Sequence, residues 1–465
     1  MSSCFVVAPE KKVKVVYDVD VVVAGGGVAG IFAAIAAARN GAETVLVERF
    51  AYPGGNIGPG LIAGGSLSGG YVKHLYGGYT GIPREFIKRH LALGGGCVPE
   101  SPNLGDVPPA PPPVVKDGLY YMKDSNIASY VAMQMLEESG VKSLFSTSIT
   151  DPILEGDSFC GVFVENKSGR QAVKAKVVID ATGEADVAMR AGIPIIYPQD
   201  SYYNIDKHGP GGAGVYYAVA GVDAEKYDAY VSEQKACGKD VRLGKICEGG
   251  FLTGRHGPKR PGHQDGQYAH DGVKLSKDEI EIRMSIFERV QNLKRKVPGF
   301  ENAYVLLISP YLGARGGPCI EGEYTLTPED MKEGRRFPDV LYVFATRVWF
   351  GPMGALDLDD PKRNEARVDS PWTDFPYRAM LPKKVNGLLA VGRSASGIPD
   401  TLLRSRMTVM HMGQAGGTAA ALAVKNGVTP RELNVKTLQQ KLLYDSFYLG
   451  DHERLKELGL ALSRK

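Results

Sequence analysis

Apolar residues are most densely grouped near the start of the chain. Asp18-Val19-Asp20-Val21-Val22-Val23 is a β-branched run suited to a strand buried on both faces of a parallel sheet. Ile31 to Asn40 is alanine-rich and predicts a helix closed by Gly41. Thr44-Val45-Leu46-Val47-Glu48 predicts a second strand, so the chain opens on a βαβ unit. Val21 to Ala38 carries no charge and reaches the length of a membrane span, but its glycines divide it into strand, turn and helix.

The pattern then loosens and recovers. Residues 52–81 read as a glycine-rich loop, Pro83 to Leu93 as a helix, and Glu100 to Pro113 as a proline-rich excursion. A helix is expected from Asp124 to Glu138 and a strand from Val141 to Ile149. Two more strands, Gly161-Val162-Phe163-Val164 and Val177-Val178-Ile179-Asp180, flank a turn at Lys167-Ser168-Gly169. From about Ile195 to Pro310 the alternation fades and includes a polar loop, Gly249 to Gly272. A helix from Leu275 to Lys296 follows, expected to open on the capping box Ser276-x-x-Glu279 and to stop at Pro298. After Val385 the α/β texture returns, with a strand at Gly387–Gly392 and a helix from about Thr408 to Lys425. No internal repeat is visible.

A chain of 465 residues is too long for one core, so two intertwined domains are expected: residues 1–194 and 311–465 as one, 195–310 as an insertion. A hydrophobic content of 43%, a charged content of 23% and a net charge of +3 are those of an ordinary globular protein, without the field that nucleic acid or a membrane surface requires. Cys4, Cys97, Cys160, Cys237, Cys247 and Cys319 form no Cys-x-x-Cys pair, which argues against a bound metal or a dithiol relay. No signal peptide is evident at Met1, and a cytoplasmic location is expected.

Candidate chemistry begins at Gly25-Gly26-Gly27-Val28-Ala29-Gly30, directly after the first strand. Gly25 suits the tight turn, Gly27 lets backbone meet a pyrophosphate, and Gly30 lets the helix pack on the strand. Glu48, ending the second strand, is placed to accept hydrogen bonds from ribose hydroxyls. Two distant segments repeat the strand-and-turn texture: Asp180-Ala181-Thr182-Gly183-Glu184-Ala185-Asp186, and Gly387 to Arg393 followed by Arg404-Ser405-Arg406 and Gly413-Gln414-Ala415-Gly416-Gly417. A cofactor met from three separated segments must be long.

These blocks, with Glu48 to Asn56, Met135 to Asp186, Leu312 to Thr327, Gly334 to Asp339 and Tyr377 to Ala421, resemble the FAD-dependent oxidoreductase family of the two-dinucleotide-binding-domain flavoproteins. More remotely the chain resembles fumarate reductase flavoprotein subunits and the tRNA-uridine-modifying flavoprotein. The resemblance implies an α/β fold, a Rossmann-type FAD-binding domain of glutathione-reductase-like form carrying an inserted α+β substrate or cap domain. It implies FAD contacts from Gly25, Gly27, Val28, Ala29, Gly30, Glu48 and Arg49. Gly54, Gly55 and Asn56 would lie along the pyrophosphate and ribityl chain, and Ser148 and Ile149 near adenine. Ala181, Thr182, Gly183 and Asp186 would close over the cofactor, while Gly392, Arg393, Met407 and Thr408 would hold the flavin. One block departs from the family pattern: where relatives show Arg followed by Glu-Ser-Arg-Arg, this chain has Arg315-Gly316-Gly317-Pro318-Cys319.

Three residues are expected to act in catalysis. Arg315 and Arg406 are cations in blocks that the resemblance places near the flavin, and His74, in Lys73-His74-Leu75-Tyr76, is a candidate base. Tyr76, Tyr79 and His411 are weaker candidates. His256, His263 and His270 read as a solvated loop rather than a metal site. The expected partners are a small organic substrate and an electron acceptor that the sequence does not identify; a homo-oligomer is compatible with this reading. The rival readings are a tRNA-modifying flavoprotein, which the charge balance disfavours, and an electron-transfer flavin subunit without its own substrate.

Overall fold

The computed structural model describes residues 6, 10–58, 78–97, 121–122, 124–196, 215–239, 241, 246–247, 251–256, 272–313, 317–345, 347–349, 367–369, 371–397 and 406–460. The first part supplies strand β1 (Lys14–Ala24), helix α1 (Val28–Arg39), β2 (Thr44–Val47), α2 (Gly81–Ala92) and α3 (Ser125–Glu138). It continues through β3 (Lys142–Leu144), β4 (Ser148–Glu155), β5 (Ser158–Asn166), β6 (Gly169–Asp180) and α4 (Asp186–Arg190). The insertion holds β7 (Val215–Ala220), α5 (Ala224–Ala236), β8 (Ile246–Cys247), β9 (Phe251–His256), α6 (Gly272–Lys296) and β10 (Tyr304–Ile308). The chain then returns through β11 (Leu388–Ala390) and α7 (Arg406–Asn426).

Strands β3, β2, β1, β6 and β11 lie side by side and parallel, the Rossmann arrangement expected of a chain that opens on a βαβ unit. Strand β6 is long enough for two roles. Its second half lies between β1 and β11, while its first half begins the antiparallel meander β6-β5-β4. Strand β1 feeds two cores by simple alternation: Val21 and Val23 pack with Ile31, Phe32 and Ile35 of α1, while Val22 and Ala24 pack with Val45, Phe159 and Val178. The insertion has its own four-stranded sheet, ordered β8-β9-β7-β10, and its own core of Tyr217, Tyr227, Ile282, Ile286 and Phe300.

Local details differ from the sequence expectations. The strand expected over Val141–Ile149 is two, β3 and β4, divided at Ser146, whose φ of 49° no strand can contain. Ser146 N–H instead donates to Phe50 O (2.9 Å), and Thr147 N–H to Glu48 O (3.0 Å). Helix α6 starts at Gly272, a turn before the expected capping box. The Ser276 hydroxyl lies inside the helix and donates back to Gly272 O (2.7 Å), and the Glu279 carboxylate pairs with Arg283 and accepts from Leu312 N–H. Phe251–His256, expected in a polar loop, is a strand paired with β7. The loops expected at 100–113 and most of 52–81 lie outside the described residues.

Candidate functional site

The parallel register sets Ala24 beside both Val47 and Asp180, and Asp180 beside Ala390, so the four strands end in one row. From that row leave four of the segments singled out in the sequence, at Gly25, Glu48, Ala181 and Gly392. In an open α/β sheet this carboxyl edge is where a ligand sits.

The first turn is fitted closely to its neighbours. Gly25 has a φ of 99°, and a Cβ there would lie 2.8 Å from Ala181 O. A Cβ on Gly30 would lie 1.8 Å from Gly25 O, which is why the helix can begin directly over the strand. Gly27, by contrast, caps α1 without a side-chain hydrogen bond, and a Cβ added there meets no protein atom within 4 Å. The open side of the turn therefore presents backbone N–H groups at a helix N-terminus to the groove. Gly55 faces it from the other side, its Cβ position 3.0 Å from Gly27 Cα, and Gly54 N–H donates to Gly26 O (2.8 Å).

Glu48 is buried at the end of β2. Its carboxylate accepts from Gly26 N–H (2.7 Å) and Phe50 N–H (2.9 Å), and burial pushes it above the usual carboxylate range despite those bonds. Arg49 lies over the Phe50 and Tyr311 rings, 4.9 and 5.4 Å from their centroids. Phe50 and Tyr311 stack at 4.7 Å, and the Tyr311 hydroxyl donates to Asn56 Oδ1 (3.3 Å). Burial holds that phenol up at about 12. The residue that leads out of the insertion thus rests on the loop expected to follow the pyrophosphate.

The third and fourth segments are tied together by Asp180, which is fully buried. Its Oδ1 accepts from Thr182 N–H (3.1 Å), the Thr182 hydroxyl (2.7 Å) and the Ser394 hydroxyl (3.2 Å). Its Oδ2 accepts from Val187 and Ala188 N–H, both at 3.1 Å, at the start of α4. Ser394 Oγ in turn accepts from Gly183 N–H (3.1 Å) and Ala185 N–H (3.0 Å). Arg393 pairs with Glu184 at 3.1 Å; burial raises the Glu184 carboxyl, and Arg393 and Arg49 oppose that rise. Asp186 N–H donates to the Thr182 hydroxyl (2.9 Å).

Helix α7 closes the site from behind. A Cβ on Gly413 would lie 2.2 Å from Ala29 O and one on Gly417 2.0 Å from Ala33 O, so the two glycines, one turn apart, let α7 lie directly on α1. Gly392 N–H points at Met412 Sδ (3.0 Å). Arg406, the first residue of α7, is close enough to Tyr79 to oppose the large upward shift that burial gives that phenol. Met407 and Thr408 are buried in the same first turn. His411 is structural: Nδ1–H donates to Met407 O (2.8 Å), Nε2 accepts from Thr80 N–H (3.1 Å), and burial pushes the imidazole down to about 4.

Every expected cofactor residue from Gly25 to Asn56, from Ala181 to Asp186, and Gly392, Arg393, Met407 and Thr408 lies on these converging segments. Ser148 and Ile149 begin β4 just beyond the contact of Thr147 with Glu48, and Ile149 O accepts from Arg190. Arg315, His74, Tyr76, His263 and His270 lie outside the described residues. Three positions on these segments were given no role by sequence reasoning. Gly26 is glycine because a Cβ would lie 3.0 Å from Glu48 Cβ; Ser394 bridges two turns; Tyr311 rests on Phe50 and Asn56. Only Gly26 carried a visible signal, as the middle of three consecutive glycines.

This edge of the sheet suits a long dinucleotide: an open glycine at uncapped helix N–H groups, a second glycine loop opposite, a buried carboxylate at the end of β2, and two further turns on the same edge. Among the described residues, no helix is long and apolar enough to cross a membrane, and no group of three or more His, Cys, Asp or Glu is placed to hold a metal ion.

A geranylgeranyl bacteriochlorophyll reductase-like protein from Thermoplasma acidophilum is 14% identical over 93% of this chain and 84% of its own, with a TM-score of 0.41. The myxobacterial chondrochloren halogenase is 12% identical over 92% of this chain and 78% of its own, with a TM-score of 0.43. A flavin-dependent brominase is 13% identical over 92% and 83%, with a TM-score of 0.41. No curated protein sequence matches the chain. The model of the FAD dependent oxidoreductase family matches residues 20–442, nearly the whole chain. The protein therefore belongs to that family of flavoenzymes, with FAD as its cofactor.

Proposed function

We propose that this oxidoreductase moves a hydride between a small organic substrate and N5 of its flavin, with the substrate held between the FAD-binding domain and the insertion. The observation that carries this reading is the contact of Tyr311 with Phe50 and Asn56, because it brings the end of the insertion onto the cofactor edge. Bound FAD supplies the two-electron redox chemistry. The chain supplies position and charge. In this reading Gly27, Val28 and Ala29 present N–H groups to the pyrophosphate, and Glu48 accepts from the adenosine ribose through lone pairs that Gly26 and Phe50 leave free. Arg49 and Asn56 line the loop beside them, Gly183 and Arg393 meet the ribityl side, and the first turn of α7, at Met407 and Thr408, faces the flavin.

Arg406 is the described cation best placed to favour negative charge on that side, and Arg315 and His74 are its partners in the proposed catalytic set. The test is anaerobic mixing of the FAD-loaded protein with polyols, sugars and enoates, following the visible flavin band. Bleaching by a small alcohol or polyol, or reoxidation of the reduced protein by an enoate, supports the proposal. Bleaching only by a reduced partner protein, with every small molecule inert, would replace it with an electron-transfer role.

A further inference from the structure

Helix α6 is apolar on two sides. Ile282, Ile286, Val290 and Leu293 face the sheet of the insertion and are buried. On the other side Val273, Ile280, Met284 and Phe287 are 69, 61, 60 and 53% exposed. At 3.6 residues per turn the two stripes lie roughly 140° apart, so the outer one cannot reach the core that the inner one fills. Four large apolar side chains in one line along a single helix form a contiguous patch, unlike the scattered apolar residues of an ordinary surface. Their spacing, seven, four and three, is that of one seam of a coiled coil.

We propose that this stripe is the contact by which two copies of the chain associate, their α6 helices crossing antiparallel about a two-fold axis near residue 282. The argument for a second copy is self-complementarity. In that register Ile280 of each copy lies opposite Met284 of the other, and Phe287 lies against the aliphatic stem of Lys277. The Lys277 ammonium then falls beside Glu288 of the other copy, and the two-fold axis makes this pair twice. Lys277 and Glu288 are both exposed and flank the stripe on the same side. A parallel arrangement would instead leave Lys277 and Glu288 eleven residues apart along the axis, about 16 Å, and form no such pair. The flanks carry both signs of charge, Lys277, Glu288 and Arg295, rather than the uniformly basic face of a helix that lies on a membrane. A lone helix pair is at the small end of stable interfaces, which begin near about 1,200 Å². Association in the micromolar range is therefore expected.

The test is sedimentation of the FAD-loaded full chain across the micromolar range. The wild type is expected to pass from monomer to dimer. Ile280→Asp and Lys277→Glu should each weaken dimerisation at least about tenfold, because a charge enters the seam or like charges meet. Both should keep FAD and the monomer's melting temperature, and the double variant Lys277→Glu/Glu288→Lys should restore the dimer. A wild type that stays monomeric throughout overturns the proposal, as does a dimer that all these variants leave unchanged. Monomer that sediments with anionic phospholipid vesicles, and does so less after Ile280→Asp, assigns the stripe to a membrane surface and overturns it equally.

Discussion

Asp180 and Ser394, 214 residues apart, share a hydrogen bond of 3.2 Å, and through it two turns of the site become one object. Ser394 Oγ accepts from the N–H groups of both Gly183 and Ala185, and Ala185 is held at a φ of 54°, a left-handed conformation that a non-glycine residue adopts only under constraint. Ser394→Ala should leave both N–H groups without that acceptor. The expected cost is about 1–3 kcal/mol in stability, with weaker FAD retention. Thermal denaturation of the apoprotein and FAD titration together check it; unchanged values in both would make the bridge incidental.

Gly26 and Gly27 are adjacent and should respond oppositely. A Cβ on Gly26 meets Glu48 at 3.0 Å, whereas one on Gly27 meets no protein atom within 4 Å. Gly26→Ala should therefore destabilise the apoprotein as well as impair loading. Gly27→Val should leave apoprotein stability within about 0.5–1 kcal/mol, the range of a substitution without packing consequences, while abolishing FAD binding. Equal loss of apoprotein stability in the two variants would mean that the open side of the turn is not the cofactor's side.

This contrast also marks what was legible in the sequence. The strand, glycine turn, helix and terminal carboxylate of the first βαβ unit could be read because each depends on residues close in the chain. The helix expected from Asp124 was equally local; it begins at Ser125, with the Asp124 carboxylate as its cap accepting from Asn126 and Ile127. Features that depend on distant partners were not legible. Ser146 breaks a strand because its own N–H bonds to Phe50 and that of Thr147 to Glu48, and Ser276 fails as a cap because α6 begins a turn earlier. Tyr311 gives no signal in its own segment, because its role is defined by Phe50 and Asn56 more than 250 residues before it. The second face of α6 was hidden for another reason: a single amphipathic period assigns one apolar stripe, and this helix has a buried one and an exposed one.

Tyr311 offers a graded test of the join between insertion and cofactor loop. Tyr311→Phe keeps the stack on Phe50 and loses only the bond to Asn56, at about 1 kcal/mol. Tyr311→Ala removes the ring as well and should cost more, about 2–3 kcal/mol, below the range for a fully buried aromatic because Tyr311 is only partly buried. FAD affinity should fall in the same order, wild type, Phe, Ala. If Tyr311→Phe binds FAD as weakly as Tyr311→Ala, the hydroxyl rather than the stack holds the loop.

The remaining prediction concerns pH. His411 is buried between α7 and the loop before α2, with Tyr79 and Phe447 rings beside it and both nitrogens engaged as a neutral imidazole. Burial lowers it from 6.5 to about 4. Above 6.5 neither the folded nor the unfolded chain protonates this residue, and it contributes no pH dependence. Between 6.5 and about 4 the unfolded chain takes up a proton that the fold refuses, so stability falls as pH falls. Complete protonation of the unfolded side corresponds to about 3 kcal/mol. In His411→Gln, which keeps polar atoms but does not titrate, the drop in stability between pH 7 and pH 4 should be smaller than in wild type by about that amount. Carboxylates elsewhere titrate in both proteins and cancel in the comparison. Denaturant melts of the two proteins at both pH values supply it, and identical pH slopes would mean that the buried imidazole accepts its proton without opening the contact between α7 and Thr80.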